Sequence, residues 1–311
     1  MKTQEMRVKA HAKINLFLTV RGKRNDGYHL LSTLMQSISL GDDLYVKCSE
    51  PAQANNLDVG VLIRSSTKTL PRGEKNTAYR AARLFMEELQ LSDVSIEIEI
   101  GKHIPSQAGL GGGSADAAAV LHLLNLFYKN AIPKTKMISI ASKVGADVPF
   151  CLLGHTQLCE GIGEIMTPVS SLSGLPLLLI RPNCSISTTW AFSQIDSMNA
   201  LARPLSGEEE ALHNLMFSDS PDSPVERIKQ AAPFLSNQFE TVGESRFPVL
   251  AKTRRFLIEK GAILARLSGS GSTVFGVFQD AAQRDQAFRE SIHLRDRGFF
   301  VEKAETCDGG Y

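Results

Sequence analysis

Apolar residues along the chain keep two rhythms, and the change from one to the other marks the elements. From Arg7 to Val20, Val8, Ile14, Leu16, Leu18 and Val20 fall at strand spacing, and the pattern breaks at RGKRNDGYHLL, where Asn25-Asp26-Gly27 predicts the turn of a hairpin. SISLGDDLYVKC reads as further strand. KNTAYRAARLFMEELQL then puts Ala78, Ala82, Phe85 and Leu89 on one helical face, and VSIEIEIGKHIP alternates strictly as a strand that ends at Pro105.

A glycine loop follows that strand and opens the next helix. In PSQAGLGGGSADAAAVL four glycines fall within five residues, and beyond them Ala117, Leu121, Leu124 and Tyr128 recur at helical spacing, with Ser114 expected as N-cap and Asp116 in the first turn. KTKMISIASKVGADVPFCLLG predicts a short helix running into a loop, and GLPLLLIRPNCSIST a buried strand leaving through proline. Residues 193–246 are polar with a helical tendency. After them, AILARLSGSGSTVFGVF is strand-like and is followed by a helix and a last strand near Phe299 to Ala304. No internal repeat or low-complexity tract interrupts this order.

Composition narrows the class. With 311 residues, 43% hydrophobic and 22% charged, the chain has the balance of a soluble globular protein and the length of two domains. Its formal charge of +1 supplies no field for nucleic acid or an anionic membrane, so an acidic ligand must be held locally. The opening residues are too polar for a secretory segment and the run Leu175 to Ile180 is too short to span a bilayer, which predicts a cytoplasmic protein. Five scattered cysteines without a C-x-x-C pair point to reduced, structural thiols.

A glycine-rich strand-to-helix junction suits a phosphate, because bare backbone can approach it and the first amides of a helix lack internal partners. A Walker A loop is excluded, since no Gly-Lys-Ser/Thr triplet occurs. The dinucleotide fingerprint is weak, with Ser114 at its third glycine. On residue pattern alone, Asp147 in GADVP reads as a turn or capping aspartate or as a base, and Lys13 as a solvated strand lysine or as its cationic partner.

PSQAGLGGGSADAA, Pro105 to Ala118, resembles the phosphate-binding motif of the galactokinase, homoserine kinase, mevalonate kinase and phosphomevalonate kinase (GHMP) superfamily. AKINLFLTVRGKRNDGYHLLSTLM, GADVPFCLLGHTQLCEGIGE and RLSGSGSTVFGVF are similar to its other motifs. The first two are closest to the branch that phosphorylates 4-diphosphocytidyl-2-C-methylerythritol. Departures are His11 where proline is usual, Ser106-Gln107 after the proline, and Ala115 where a second serine is common.

The resemblance implies an α+β, two-domain fold. An N-terminal ATP-binding domain of the ribosomal-protein-S5-domain-2-like type spans 1–168, and a ferredoxin-like α+β C-terminal domain spans 169–311. It implies ATP with Mg2+, phosphates held by Pro105, Gly109, Leu110, Gly111, Gly112, Gly113, Ser114 and Ala115, and adenine near Asn76. Asp147 becomes the base and Lys13 its partner. Asn15, Tyr28, His29, Lys102, Thr188 and Phe192 become substrate contacts, with Tyr28 and Phe192 on the two faces of a cytosine and His29 on its edge. Magnesium ligands are not assigned. A small-molecule substrate, no nucleic acid, no membrane, and a monomer or homodimer are expected. The rival readings are a sister kinase acting on mevalonate, homoserine or a sugar, and a non-catalytic nucleotide- or RNA-binding module.

Overall fold

The computed structural model describes residues 2–50, 60–67, 70–198, 208–217 and 222–311. The chain opens on a long hairpin in which β1 (Lys2–Lys23) pairs antiparallel with β2 (His29–Glu50), turning at the predicted Asn25-Asp26-Gly27. The free edge of β2 is shared. Residues 43–49 pair with β4 (Ser95–Gly101), which lies parallel to β3 (Gly60–Ser65), and residues 31–36 pair with β5 (Thr156–Gly161), which carries β6 (Ile165–Pro168).

Four helices complete this first layer: α1 (Thr77–Glu88), α2 (Gly112–Phe127), α3 (Lys134–Val144) and α4 (Val148–Leu153). Ala115 to Leu121 are all buried, so α2 runs through the core, and its small residues let β1 and α1 approach closely. The segment after Gly145, expected as loop, is loop only as far as Asp147. Pro149, preset for the first turn of a helix, helps start α4.

A second antiparallel sheet has the order β10-β7-β9-β8, formed by β7 (Pro176–Arg181), β8 (Leu264–Leu267), β9 (Val274–Val277) and β10 (Phe300–Glu305). SGSGST, expected within strand, is instead the loop joining β8 to β9. The continuous apolar run of β7 has a physical reason. Leu177 and Leu179 face the core shared with the first sheet, while Leu178 and Ile180 face a second core, so both sides of the strand are covered. β1 bridges both cores too, giving Ile14 and Leu16 to one and Leu18 and Val20 to the other.

Helices α5 (Thr188–Ser197), α6 (Glu208–Phe217), α7 (Pro224–Ala231), α8 (Phe239–Arg246), α9 (Pro248–Glu259) and α10 (Ala281–Ser291) surround this sheet and the cleft. Residues 306–311 cross back to the first unit. There the Cys307 amide donates to the Ser37 carbonyl at 2.9 Å, the Tyr311 amide to the Leu152 carbonyl at 3.1 Å, and the Tyr311 ring stacks on His122. That stack packs His122 of α2 against the returning segment, and none of the five cysteines is joined in a disulfide.

Candidate active site

Two cavities adjoin at the glycine loop, one between the two units and one within the first. The first, about 560 Å³, is lined by Lys13, Asn15, Thr33, Asp147, Thr188, Phe192, Phe239 and the β8–β9 loop. The second, about 360 Å³, is lined by Asn76, Lys102, Pro105, Gly112, Gly113, Ser114 and Asp116. Gln107, Gly109 and Gly111 border both, so the glycine loop is the wall through which the two communicate.

Local rules place each group. Gly111 adopts φ 70°, the left-handed region that favours glycine, and serves as the N-cap of α2. Ser114 is therefore not the N-cap, as sequence suggested, but the third residue of the helix, and Asp116 lies beyond the first turn. The Ala115 amide donates to the Gly111 carbonyl at 2.9 Å, so the amides of Gly112, Gly113 and Ser114 are the ones without a helical partner, at the positive end of the helix dipole. Leu110 and Ala115 turn their side chains into the core and line neither cavity; Leu110 contributes its carbonyl, which accepts from the Lys13 amide at 3.0 Å.

Gly109 sits at φ 77°, and a Cβ there would lie 2.0 Å from the Ser268 carbonyl oxygen. The close fit lets the Ser268 hydroxyl donate to the Gly109 carbonyl at 2.8 Å and ties the two glycine-containing loops together. Gln107 adds a bridge across the cleft by accepting from the Ser185 hydroxyl at 2.9 Å.

Lys13 and Asp147 meet at the junction. The register of β1 against β2 shifts between His11 and Lys13, a bulge that re-aims the lysine. Its ammonium lies 3.4 Å from an Asp147 carboxylate oxygen and donates to Asn15 Oδ1 at 2.7 Å. The Asn15 amide donates in turn to the Thr33 hydroxyl at 2.9 Å, and Thr33 to the Phe17 carbonyl at 2.6 Å. Lys13 is thus a buried lysine, its side chain only 5% exposed, while that of Asp147 is 31% exposed to the cavity. Asp147 does stand at the N-cap of α4, yet its side chain makes no capping bond and is free to face Lys13.

Other expected contacts are distributed unevenly. Asn76 lines the second cavity, but its amide is used locally, accepting from the Ala78 and Tyr79 amides as N-cap of α1 and donating to the Pro71 carbonyl. Lys102 also lines the second cavity, whereas Asn15, Thr188 and Phe192 line the first. Thr188 lines the first cavity and shares a hydrogen bond with Ser270 at 2.9 Å. Phe192 lines it as well and stacks on His29, with ring centroids 4.3 Å apart. Tyr28, 59% exposed on the hairpin, does not line the cavity.

Sequence reasoning missed a buried charge cluster. Lys102 donates to Asp116 at 2.9 Å and to Asp42, and Asp42 accepts the His103 and Ile104 amides at 2.6 and 2.8 Å. Burial pushes the Asp116 carboxyl up to about 7 while Lys102 pulls it down. Burial disfavours charge on Lys102, but Asp116 and Asp42 outweigh it and hold the ammonium above the ordinary lysine range. One signal was available: Asp116 is the sole charged residue within the stretch ADAAAVL, Ala115 to Leu121, where only an internal partner makes a buried carboxylate tolerable.

A glycine loop beside unpartnered helix amides and a cation-paired carboxylate suits an anionic ligand such as a phosphate, and comparison with known proteins places the chain in a family. Residues 76–155 match the GHMP kinases N terminal domain and residues 216–290 the GHMP kinases C terminal family. The chain belongs to the GHMP kinases. It is 37% identical over 286 residues to a 4-diphosphocytidyl-2-C-methyl-D-erythritol kinase of Clostridium acetobutylicum, covering 92% of this chain and 95% of that protein. It is 38% identical to the kinase of the same name from Clostridium botulinum, covering 88% and 90%. The crystal structure of a 4-(cytidine 5'-diphospho)-2C-methyl-D-erythritol kinase superposes with a TM-score of 0.72 at 32% identity, over 96% of this chain and 99% of that one.

Proposed function

We propose that the protein transfers the terminal phosphoryl group of ATP to the 2-hydroxyl of 4-diphosphocytidyl-2-C-methyl-D-erythritol, giving the 2-phosphate and ADP on the route to isoprenoid precursors. The observation that carries this reading is the Lys13–Asp147 pair at the wall between two cavities, one edged by the amides of Gly112 to Ser114 and the other by Thr188 and Phe192. The smaller cavity takes the nucleotide, with its phosphates at the start of α2 and its base toward Asn76. The larger takes the acceptor.

Phosphoryl transfer asks mainly for alignment and charge compensation. Asp147, held beside Lys13, accepts the proton of the acceptor hydroxyl as that oxygen attacks. Lys13 orients the carboxylate and offsets the charge that develops on the transferred group. Asn15 and Thr33 keep the ammonium on this side of the strand. Cytosine recognition falls to Phe192 and the hairpin residues Tyr28 and His29. Lys102, by its position, serves the nucleotide side.

Magnesium fits as a passenger of the nucleotide. No group of three or more His, Cys, Asp or Glu able to hold a metal occurs among the described residues, and magnesium is commonly held by one or two carboxylates plus phosphate oxygens. Asp116, whose Oδ1 has no hydrogen-bond partner, lines the nucleotide cavity and would supply that carboxylate. When bound, the ion screens the phosphate charge.

The division into units at 168/169 is supported by β6 ending at Pro168 and β7 starting at Pro176. Among the described residues no helix is long and apolar enough to cross a membrane. We read the protein as a cytoplasmic enzyme acting as a monomer or homodimer. The test is direct. The purified protein, given ATP, magnesium and the cytidylated alcohol, should release ADP in a coupled assay, and mevalonate, homoserine and sugars should not replace that alcohol. Turnover of one of those in its place would overturn the assignment.

A further inference from the structure

We propose that Asp196 is a positioning residue that fixes the proton of His29 on Nε2, leaving Nδ1 as the acceptor that tells cytosine from uracil. The inference rests on the cytidylated-substrate reading above and adds to it a residue from the opposite side of the cleft.

Asp196 lies in the last turn of α5, and His29 is the first residue of β2, so the contact joins the two units beside Phe192, which lines the larger cavity. His29 Nε2 lies 2.7 Å from Asp196 Oδ1, and Lys23 Nζ lies 2.5 Å from Oδ2. Hydrogen bonds from Lys23 and then from His29 hold the Asp196 carboxyl below the usual carboxylate range. An ionised carboxylate can only accept hydrogen bonds. Nε2 must therefore be the donor, and in a neutral imidazole the other nitrogen is then bare. Nδ1 has no hydrogen-bond partner among the described residues.

Exposed ion pairs contribute little stability, and the Lys23 contact, with both side chains about half to a third exposed, is of that kind. The His29 contact differs. That ring is 11% exposed and is held flat on Phe192, with an interplanar angle of 15°. Its orientation is set on one face by Phe192 and at one edge by Asp196, both from α5. The chemical consequence is selectivity. Cytosine offers an amino donor where uracil offers a carbonyl acceptor, so a bare Nδ1 pairs with the first and opposes the second.

Two measurements on the full-length protein test this. Nitrogen NMR of histidine-labelled protein above the normal titration range of histidine should show His29 protonated at Nε2. Asp196→Ala should mix the two tautomers, and Asp196→Asn, whose amide oxygen still accepts, should keep the parent form. In kinetics, Asp196→Ala should raise KM for the cytidylated alcohol about tenfold, the cost of a misdirected hydrogen bond. It should leave KM for ATP unmoved and lose the preference over the uridylated analogue, and Asp196→Asn should restore most of both. A parent protein protonated at Nδ1 overturns the proposal, as does an Asp196→Ala variant that keeps the cytosine preference. If the parent does not turn over the cytidylated alcohol at all, the functional reading fails instead, and the nitrogen spectrum still decides whether Asp196 fixes the proton.

Discussion

Replacing Lys102 with methionine removes one ammonium and little volume, and the structure says what that leaves. Asp42 and Asp116 are within reach of the same Lys102 nitrogen, with side-chain exposures of 0% and 3%, so two carboxylates would face each other in the core without their cation. Breaking a buried charge pair by removing one partner costs about 3–5 kcal/mol. At about 2–4 °C per kcal/mol for a unit of this size, the melting temperature should fall by roughly 6–20 °C.

The dependence on pH gives the test its direction. Asp116 already has a folded value of about 7 against an ordinary 3.8, so its contribution to stability is complete below 3.8 and is lost as pH rises through about 7. Without Lys102 the folded value rises further, and the pair can remain only by keeping a proton. The deficit of Lys102→Met relative to the parent should therefore be larger at pH 8 than at pH 6, read by differential scanning fluorimetry. Asp116→Asn, which leaves Lys102 with Asp42, should cost far less. A melting temperature within 3 °C of the parent, or a deficit equal at both pH values, would refute the reasoning.

Asp147→Asn keeps the shape of the side chain and removes its basicity, so kcat should drop by about a hundred- to ten-thousandfold while calorimetric ATP affinity stays near that of the parent. Tyr28→Ala should weaken binding of the cytidylated alcohol through loss of a stack valued at about 1–3 kcal/mol, with ATP binding unchanged; equal loss of both ligands would mean general loop damage. Gly109→Ala places a Cβ 2.0 Å from the Ser268 carbonyl in a left-handed conformation, and should lower the melting temperature and ATP affinity together. An alanine variant with parental stability would show that the two loops separate freely.

The elements that could be read from sequence are those whose causes lie close together in the chain. The hairpin turn at Asn25-Asp26-Gly27, the alternating β4 and the opening of α2 each carry their signal within a dozen residues. The start of α2 was misplaced because Ser114 offers a side-chain cap while Gly111 offers backbone freedom, and the close approach of Lys13, whose Cγ would lie 3.0 Å from a Cβ at Gly111, favours the glycine. Asp42, Lys102 and Asp116 were illegible as a cluster for the opposite reason. Their partnership spans 60 and 14 residues of chain, and no local rule links them. Lys102, grouped with the substrate contacts on sequence resemblance, lines the second cavity rather than the first. Asp147 could be read either way from GADVP alone, and the side chain that makes no cap bond is a feature only of the assembled site.

The return of residues 306–311 to the first unit limits how the cleft can move. The chain passes between the two sheets along 169–175 and passes back at Thr306, where a bridge to Ile38 pins it. A third attachment, from Leu18 to Ser236 and Gln238, lies away from both. The two crossings lie side by side, the Gly174 amide donating to the Thr306 carbonyl at 2.8 Å and the Thr306 amide to the Leu175 carbonyl at 3.0 Å, so they form one paired strap rather than two independent tethers. A paired strap resists twisting better than a single strand does, and the contact from Leu18 to residues 236–238 is a further attachment that any opening of the cleft would have to stretch.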